Sequence, residues 1–315
     1  DVIAVVSTMF GLATTLGLGI QHINAGMHYL FNFEESVNLQ VILILIITLG
    51  ATLSVVSGLH KGIQLLSKMA SVMAIILMGF MLVVGPTSFI LGSTVQSTGY
   101  YLQNLIATST WMEVNTESRW MDSWTFFYWG WWFAWAPFVG LFVARISKGR
   151  TIKEFLIGVV IAPTLATIVW ISIFGSTSLH IEIFGSGGMT EAVNQDITTA
   201  LFKLLEHFPL PYLSILFVVI AGVIFFITSS DSGSLVIDFI TSGGQENTPV
   251  QLRIFWALLE GAVAAVLLWG GGLIALQTGS LVTGLPVCLL MLVVCYAILK
   301  ALRTYEAETN KGANP

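Results

Sequence analysis

Long apolar segments, separated by short polar ones, run through almost the whole chain. Each is longer than the roughly 20 residues that a helix needs to cross a bilayer. They predict eight membrane-spanning helices, at 2–30, 38–59, 69–93, 122–146, 155–177, 209–239, 252–273 and 279–301. Residues 94–121 are too polar to cross, and their apolar positions predict an amphipathic helix on the outer membrane surface.

The composition agrees with this pattern. Charged residues make up 9% of the chain and hydrophobic residues 56%, with a mean hydropathy of +0.87. Soluble domains carry about 25% charged residues, so we predict an all-α polytopic membrane protein. An enzyme is not expected, because no nucleophile–base pair or metal-ligand spacing stands out. The net charge of −5 is spread over the loops and gives no reason to expect a nucleic-acid partner.

The basic residues predict the orientation in the membrane. One set of loops and ends carries Lys61, Lys68, Arg145, Lys148, Arg150, Lys153, Arg253, Lys300, Arg303 and Lys311, and the alternate set carries only Arg119 and Lys203. The positive-inside rule places the first set in the cytoplasm, together with both termini. Residues 31–37, 94–121 and 178–208 are then outside. The basic turn 144–155 is either a solvated loop or a gating contact.

Aromatic residues are concentrated in the fourth predicted span. Six of the ten tryptophans fall between residues 120 and 135. Helical spacings of three and four place one group of rings along one side, namely Trp124, Tyr128, Trp131, Trp132 and Trp135. Such a wall can hold a quaternary ammonium group by cation–π attraction. An interfacial aromatic belt is the alternative, but it would stay at the headgroup level, whereas this run climbs about four turns.

The sixth predicted span carries an unusual cluster of hydroxyls around a carboxylate. The cluster consists of Thr228, Ser229, Ser230, Asp231, Ser232 and Ser234. Hydroxyl oxygens suit sodium, although serines can also bond back to their own helix. Asp231 could be an ion-site charge, a proton carrier or a structural anchor. Glu260 in the next span could relay protons, or be a neutral acid bonded to a neighbouring helix.

Three segments resemble the betaine/choline/carnitine transporter family. They are 124–140 (WTFFYWGWWFAWAPFVG) with 144–155 (ARISKGRTIKEF), then 225–232 (FFITSSDS), and 10–19 (FGLATTLGLG). Their order and spacing match, and the resemblance covers essentially the whole chain. It implies a LeuT-like transporter fold with two inverted five-helix repeats. The chain would correspond to spans five to twelve, lacking two leading helices of the first repeat.

The resemblance therefore implies a division of the chain. Residues 1–93 would be the remaining three spans of the first repeat, and 94–121 the outer helix. Residues 122–301 would form the complete second repeat, and 302–315 a cytoplasmic tail. Because the two absent helices carry part of the family's substrate cage, we expect residues 1–315 alone to bind substrate weakly or not at all.

The resemblance also assigns roles to individual residues. Trp132 corresponds to the central cage tryptophan, with Trp131 and Trp135 along the adjoining pathway and Tyr128 on the same side. Phe225, Thr228 and Ser229 correspond to one sodium site. Thr8 and Phe138 correspond to the other, which is weakened because Leu12 replaces a threonine ligand.

The predicted function is import of a quaternary ammonium compatible solute, glycine betaine or choline, by an ion-coupled secondary transporter. Sodium is the favoured coupling ion, and no cofactor is expected; proton coupling through Asp231 or Glu260, with choline or carnitine as substrate, is the alternative. A channel or an osmosensor is the alternative from another class. The resemblance further implies a bacterial inner-membrane protein surrounded by lipid and assembled as a homotrimer.

Overall fold

The computed structural model of the protein describes residues 1–57, 62, 64–116, 118–245 and 248–312, with side chains as far as residue 305. Lys61, used above for the orientation, and the last three residues of the predicted tail lie outside the described residues. The helices are α1 (Val2–Phe31), α2 (Val37–Ser57), α3 (Gln64–Val84), α4 (Thr87–Gln103), α5 (Leu105–Ser109), α6 (Phe127–Ile146), α7 (Ile152–Leu156), α8 (Ala162–Phe184), α9 (Met189–Gln195), α10 (Ala200–Glu206), α11 (Pro211–Thr241) and α12 (Val250–Gly312).

Seven continuous helical segments in this part of the chain are long and apolar enough to cross a membrane. Two of them include a wide π-helical turn, at Asp122–Phe126 before α6 and at Ile157–Ile161 before α8. Such segments satisfy their own backbone hydrogen bonds, as a bilayer interior requires. The prediction of an all-α polytopic membrane protein is confirmed, whereas the inverted-repeat arrangement stays a prediction.

The third span ends earlier than its predicted boundary at residue 93. The helix stops at Val84, and α4 begins at Thr87 directly after Pro86. Proline has no backbone N–H and its ring clashes with the preceding turn, so it ends one helix and starts the next. Helix α4 then packs along α8, where the Ser176 and Ser93 hydroxyls hydrogen-bond at 2.9 Å. The outer helix expected from residue 94 therefore starts seven residues before it.

The seventh and eighth predicted spans are joined without an intervening loop. Both lie in α12, which bends at Gly272, where φ is 62° and ψ is −157°. This backbone conformation is essentially restricted to glycine. Before the bend α12 packs on α2 through Gly261 and Thr48, and beyond it Ser280 donates to the Phe10 carbonyl of α1. The two halves of α12 thus serve different neighbours.

Helix α1 lies at the centre of the bundle and is packed on several sides. Its side chains Leu12, Ala13, Leu16 and Ile20 are almost completely inaccessible. The Thr14 hydroxyl reaches the second half of α12, donating to the Leu276 carbonyl at 2.7 Å. A helix that is apolar all round belongs in such an interior position.

Helices α6 and α12 touch backbone to backbone. A Cβ added at Gly284 would overlap the carbonyl oxygen of Gly130, and one added at Gly130 would overlap Leu281. Close backbone approach through small residues is a usual way in which membrane helices associate. This contact fixes the position of the α6 aromatic face relative to α12.

We expect Gly284→Ala to lower the free energy of unfolding by about 1–3 kcal/mol, because the added methyl must separate the two backbones. Gly140→Ala on α6 is the matched control, since a Cβ there meets nothing within 4 Å. Alanine is the better helix former, so the control is expected to be neutral or stabilising by up to about 1 kcal/mol. Titration of detergent-solubilised protein with SDS measures both, and equal values would contradict the close-contact interpretation.

Candidate functional site

The aromatic rings before and along α6 form a continuous column. The ring centroids of Trp120 and Trp124 are 6.5 Å apart, those of Trp124 and Tyr128 are 5.4 Å apart, and those of Tyr128 and Trp131 are 6.0 Å apart. These separations fall in the range of favourable ring pairs. The column begins at Trp120, just before the π-helical turn, and continues through that turn into α6.

The carboxylate of Glu113 fixes the loop at the Trp120 end of the column. The Glu113 side chain accepts hydrogen bonds from the Met121 backbone N–H at 2.8 Å and from the Ser118 hydroxyl. The Ser118 bond and then the Met121 bond, both made to the ionised form, lower the pKa of Glu113 below its usual range. The loop is thereby closed just before Trp120, where the column starts.

Two cage candidates are fixed by a single hydroxyl of α1. The indole N–H groups of Trp131 and Trp135 donate to the Thr15 hydroxyl oxygen, at 3.2 Å and 3.0 Å. Trp131 also reaches the Gly11 carbonyl at 3.1 Å. Gly11 is required here because a Cβ would lie 2.8 Å from the Trp135 ring. Sequence reasoning did not assign this role to Thr15, and its only signal was a polar pair, Thr14 and Thr15, in an apolar helix.

Trp132 points in a different direction from these two tryptophans. Its side chain is 68% exposed and lines an open cleft with Ser97, Thr98 and Tyr101 of α4. Adjacent helical residues project about 100° apart, so Trp132 lies at the edge of the aromatic face and Trp131 inside it. The structure therefore brings Trp131 and Trp135 to the α1 side of α6 and places Trp132 on the accessible side, while Tyr128 packs against Trp131 and stays partly exposed.

The residues of the weaker sodium-site candidate lie in the interior between α1 and α6. Thr8 is fully buried and its hydroxyl oxygen has no hydrogen-bond partner. Phe138 packs in one cluster with Met9 and Leu12. An orphaned hydroxyl suits a cation, but Leu12 offers no oxygen at the next turn. These residues fit only part of a sodium coordination shell.

The other sodium-site candidate lies on α11, where oxygen atoms are more numerous. The Thr228 hydroxyl donates to the Phe225 carbonyl of its own helix at 2.8 Å, and the Phe225 ring is 54% exposed. Ser229 is half-buried. The neighbouring Ser230 is 2% exposed, and its hydroxyl faces the Glu260 carboxyl of α12. A hydroxyl that donates to a carbonyl can still accept a cation, so this set fits sodium better than the first.

The acids Asp231 and Glu260 are deeply buried. Asp231 accepts hydrogen bonds from the Ser54 hydroxyl of α2 at 2.5 Å and from Ser232 at 3.1 Å. Glu260 of α12 is 1% exposed, and one of its carboxyl oxygens has no hydrogen-bond partner among the described residues. Neither acid forms a salt bridge with a described basic residue; the basic residue in that region, Arg253, pairs with Asp238 at 3.5 Å. Asp231 thus ties α2 to α11.

A narrow internal gap is lined by the residue that holds the two tryptophans and by serines of the candidate ion site. Thr15 and Leu12 of α1 line it on one side, Ser229 and Ser230 of α11 on another, and Glu260 of α12 closes it. Thr15, whose hydroxyl fixes the tryptophans, therefore borders the same gap as Ser229 and Ser230. The aromatic and the oxygen-rich parts of the candidate site are neighbours.

A bundle of membrane-length helices around such an interior defines a polytopic membrane protein of the solute-transporter class. Comparison with known sequences identifies the family. The family model for betaine/carnitine/choline transporters matches residues 1–307, and the chain belongs to this family. It is a family of transporters rather than of enzymes.

Individual relatives agree with this assignment. The chain is 44% identical to the glycine betaine/proline/choline/ectoine transporter of Vibrio parahaemolyticus, over 96% of this chain and 54% of the relative. It is 41% identical to the glycine betaine transporter OpuD of Bacillus subtilis, over 99% of this chain and 61% of the relative. It is 45% identical to an uncharacterized transporter of Mycobacterium tuberculosis, over 98% of this chain and 52% of the relative. The chain spans about half the length of the curated relatives it matches.

Proposed function

We propose that this chain forms the greater part of an ion-coupled secondary transporter that imports a quaternary ammonium solute, glycine betaine or choline, as an osmoprotectant. The observation that carries the proposal is the aromatic face of α6. Trp131 and Trp135 are held in fixed orientation by Thr15, and Trp132, next to Trp131 in the chain, presents its ring on the accessible side of the same helix. The relatives named as glycine betaine transporters support the substrate class.

Recognition of the solute rests on cation–π attraction. A trimethylammonium group has no N–H to donate, so it is selected by aromatic faces rather than by hydrogen-bond acceptors. A desolvated cation–π contact contributes about 2 kcal/mol. Three or four rings then approach the roughly 8 kcal/mol of micromolar binding, before the cost of ordering is subtracted. By its resemblance to the family, Trp132 is the central ring of the proposed cage and lies on the accessible side of α6, while Trp131 and Trp135 line the adjoining pathway on the α1 side and Tyr128 packs beside Trp131.

The coupling ion is proposed to be sodium, bound on α11 by Thr228 and Ser229 with Phe225 nearby. The oxygen-rich surroundings, including the buried hydroxyl of Ser230, support this assignment. Thr8 and Phe138 form a weaker second location. Alternating access follows from rocking of the two inverted repeats around the midplane site. The protein is placed in the bacterial inner membrane as a homotrimer, with both termini in the cytoplasm.

The proposal is tested by measuring solute uptake. The purified protein used contains this sequence and has the full length of the relatives. Proteoliposomes are given labelled glycine betaine or choline under an imposed sodium gradient or an imposed proton gradient. Sodium-dependent uptake of one of these solutes is expected. Uptake driven by protons alone would retain the aromatic cage and move the coupling role to Asp231 or Glu260. No uptake of either solute under either gradient would overturn the substrate assignment.

A further inference from the structure

We propose that Thr15 is a positioning residue that sets the orientation of Trp135 and Trp131 and links it to the occupancy of the ion site on α11. This inference rests on the proposed function and concerns the regulation of the same site. Thr15 itself touches neither solute nor ion in this scheme. It acts through the groups that do.

The hydrogen-bonding capacity of the Thr15 hydroxyl is fully used. A hydroxyl has one hydrogen to donate and two lone pairs to accept. Thr15 donates to the Gly11 carbonyl at 2.9 Å and accepts from Trp131 and Trp135. The side chain is 7% exposed, so water has little access to replace any of these bonds. The hydroxyl is therefore a rigid junction between α1 and α6.

The two tryptophans depend on this junction to different degrees. Trp131 shares its N–H between Thr15 and the Gly11 carbonyl, so it keeps an acceptor if the hydroxyl is lost. The indole N–H of Trp135 has only Thr15 as a hydrogen-bond acceptor among the described residues. Because indole nitrogen is a donor only, loss of the hydroxyl leaves Trp135 without a partner. Trp135 is thus the ring that Thr15 controls most directly.

The same side chain connects the rings to the ion-binding helix. Thr15 lines the narrow gap together with Ser229 and Ser230 of α11. An ion that draws these hydroxyls toward it changes the packing against Thr15, and protein interiors transmit such small shifts because they are closely packed. A displacement of Thr15 reorients Trp135. Ion binding and solute binding then both depend on the position of Thr15, and this shared residue couples the two binding events.

Thr14 provides a matched control within the same helix. It is also a buried threonine, but its hydroxyl donates to the Leu276 carbonyl of α12 at 2.7 Å and lies 2.8 Å from the Ser280 hydroxyl oxygen. It reaches neither tryptophan. Thr14→Val therefore removes a buried hydroxyl from α1 without altering the junction with α6.

The test measures solute binding in the full-length protein with and without sodium. Tryptophan fluorescence gives the dissociation constant for glycine betaine or choline in the unchanged protein and in the Thr15→Val, Thr15→Ser and Thr14→Val variants. We expect sodium to tighten binding at least fivefold in the unchanged protein. Thr15→Val should weaken binding about tenfold and reduce the sodium effect to less than twofold. Thr15→Ser restores the hydroxyl and should recover both properties, and Thr14→Val should retain the sodium effect.

Several results would overturn the proposal. If Thr15→Val binds solute as the unchanged protein does and keeps the same sodium dependence, the hydroxyl does not have the proposed role. Equal loss of the sodium effect in Thr14→Val, or failure of Thr15→Ser to restore it, would reduce Thr15 to a packing residue. Gel filtration and thermal unfolding of each variant verify folding. Absence of solute binding in the unchanged protein would instead refute the proposed function itself, so the two failures are distinguishable.

Discussion

Trp132→Leu is expected to lower the transport efficiency, the ratio kcat/KM for solute uptake, by about thirtyfold or more. Leucine keeps an apolar side chain at this position but removes the negative face of the ring. A cation–π contact contributes about 2 kcal/mol when the bound solute excludes water from the ring, and each 1.4 kcal/mol corresponds to a factor of ten in affinity. Because Trp132 is 68% exposed, the substitution leaves the packing of the described helices largely unchanged. The loss should therefore appear in transport and not in the amount of folded protein.

Trp269→Leu is the matched control for this experiment. Trp269 lies on α12 and is 75% exposed, so the variant loses a ring of similar accessibility on a different helix. Its uptake kinetics should stay within about twofold of the unchanged protein, a difference of roughly 0.4 kcal/mol. Initial rates of labelled-solute uptake over a concentration series provide both values. Equal losses in the two variants would show that the effect is not specific to the proposed cage.

Asp231→Ala is expected to lower the free energy of unfolding by about 2–3 kcal/mol. The substitution removes the acceptor of the Ser54 hydroxyl, which is 5% exposed and cannot turn to water. A buried polar group left without a partner costs about 1–3 kcal/mol, and the empty volume adds to this. SDS titration of the purified protein measures the loss. Asp231→Asn keeps a carbonyl oxygen for Ser54 and should recover part of it.

Asp122→Ala is the control for this prediction, because it removes a carboxylate at the surface; its free energy of unfolding is measured in the same way. Asp122 pairs with Arg119 at 2.9 Å, and its side chain is 51% exposed. Exposed pairs contribute about 0–1 kcal/mol, so this variant should unfold almost as the unchanged protein does. If Asp231→Ala were no more destabilising than Asp122→Ala, the Ser54–Asp231 bond would not be a structural tie between α2 and α11.

Much of the fold could be predicted because apolar length determines where helices cross a bilayer. The spans at Val37–Ser57 and Asp122–Ile146 lie within about two residues of their predicted limits. The boundaries that moved depend on single residues. Pro86 divides the third span from α4, and Gly272 replaces a predicted loop by a bend. A hydropathy pattern contains little information about either event, since both are set by backbone conformation.

The candidate site was predictable in composition but less so in arrangement. Helical spacing correctly indicated that Trp124, Tyr128 and Trp131 follow one another, from the π-helical turn into α6. It was wrong to place Trp132 on the same wall, since that ring lies on the accessible side. It did not indicate that Thr15, on a helix more than a hundred residues earlier, would accept from two indoles, because such pairing depends on how α1 and α6 pack. The run of hydroxyls on α11 was evident from the sequence, but which of them would be buried, as Ser230 is, required the packed structure.

The bend at Gly272 sets the angle between the last two membrane segments. Its backbone conformation is one that residues with a Cβ reach only with strain. The first half of α12 contacts Thr48 of α2, and the second half meets α1 at Ser280. Any side chain introduced at position 272 would therefore change the angle between the surface that meets α2 and the surface that meets α1.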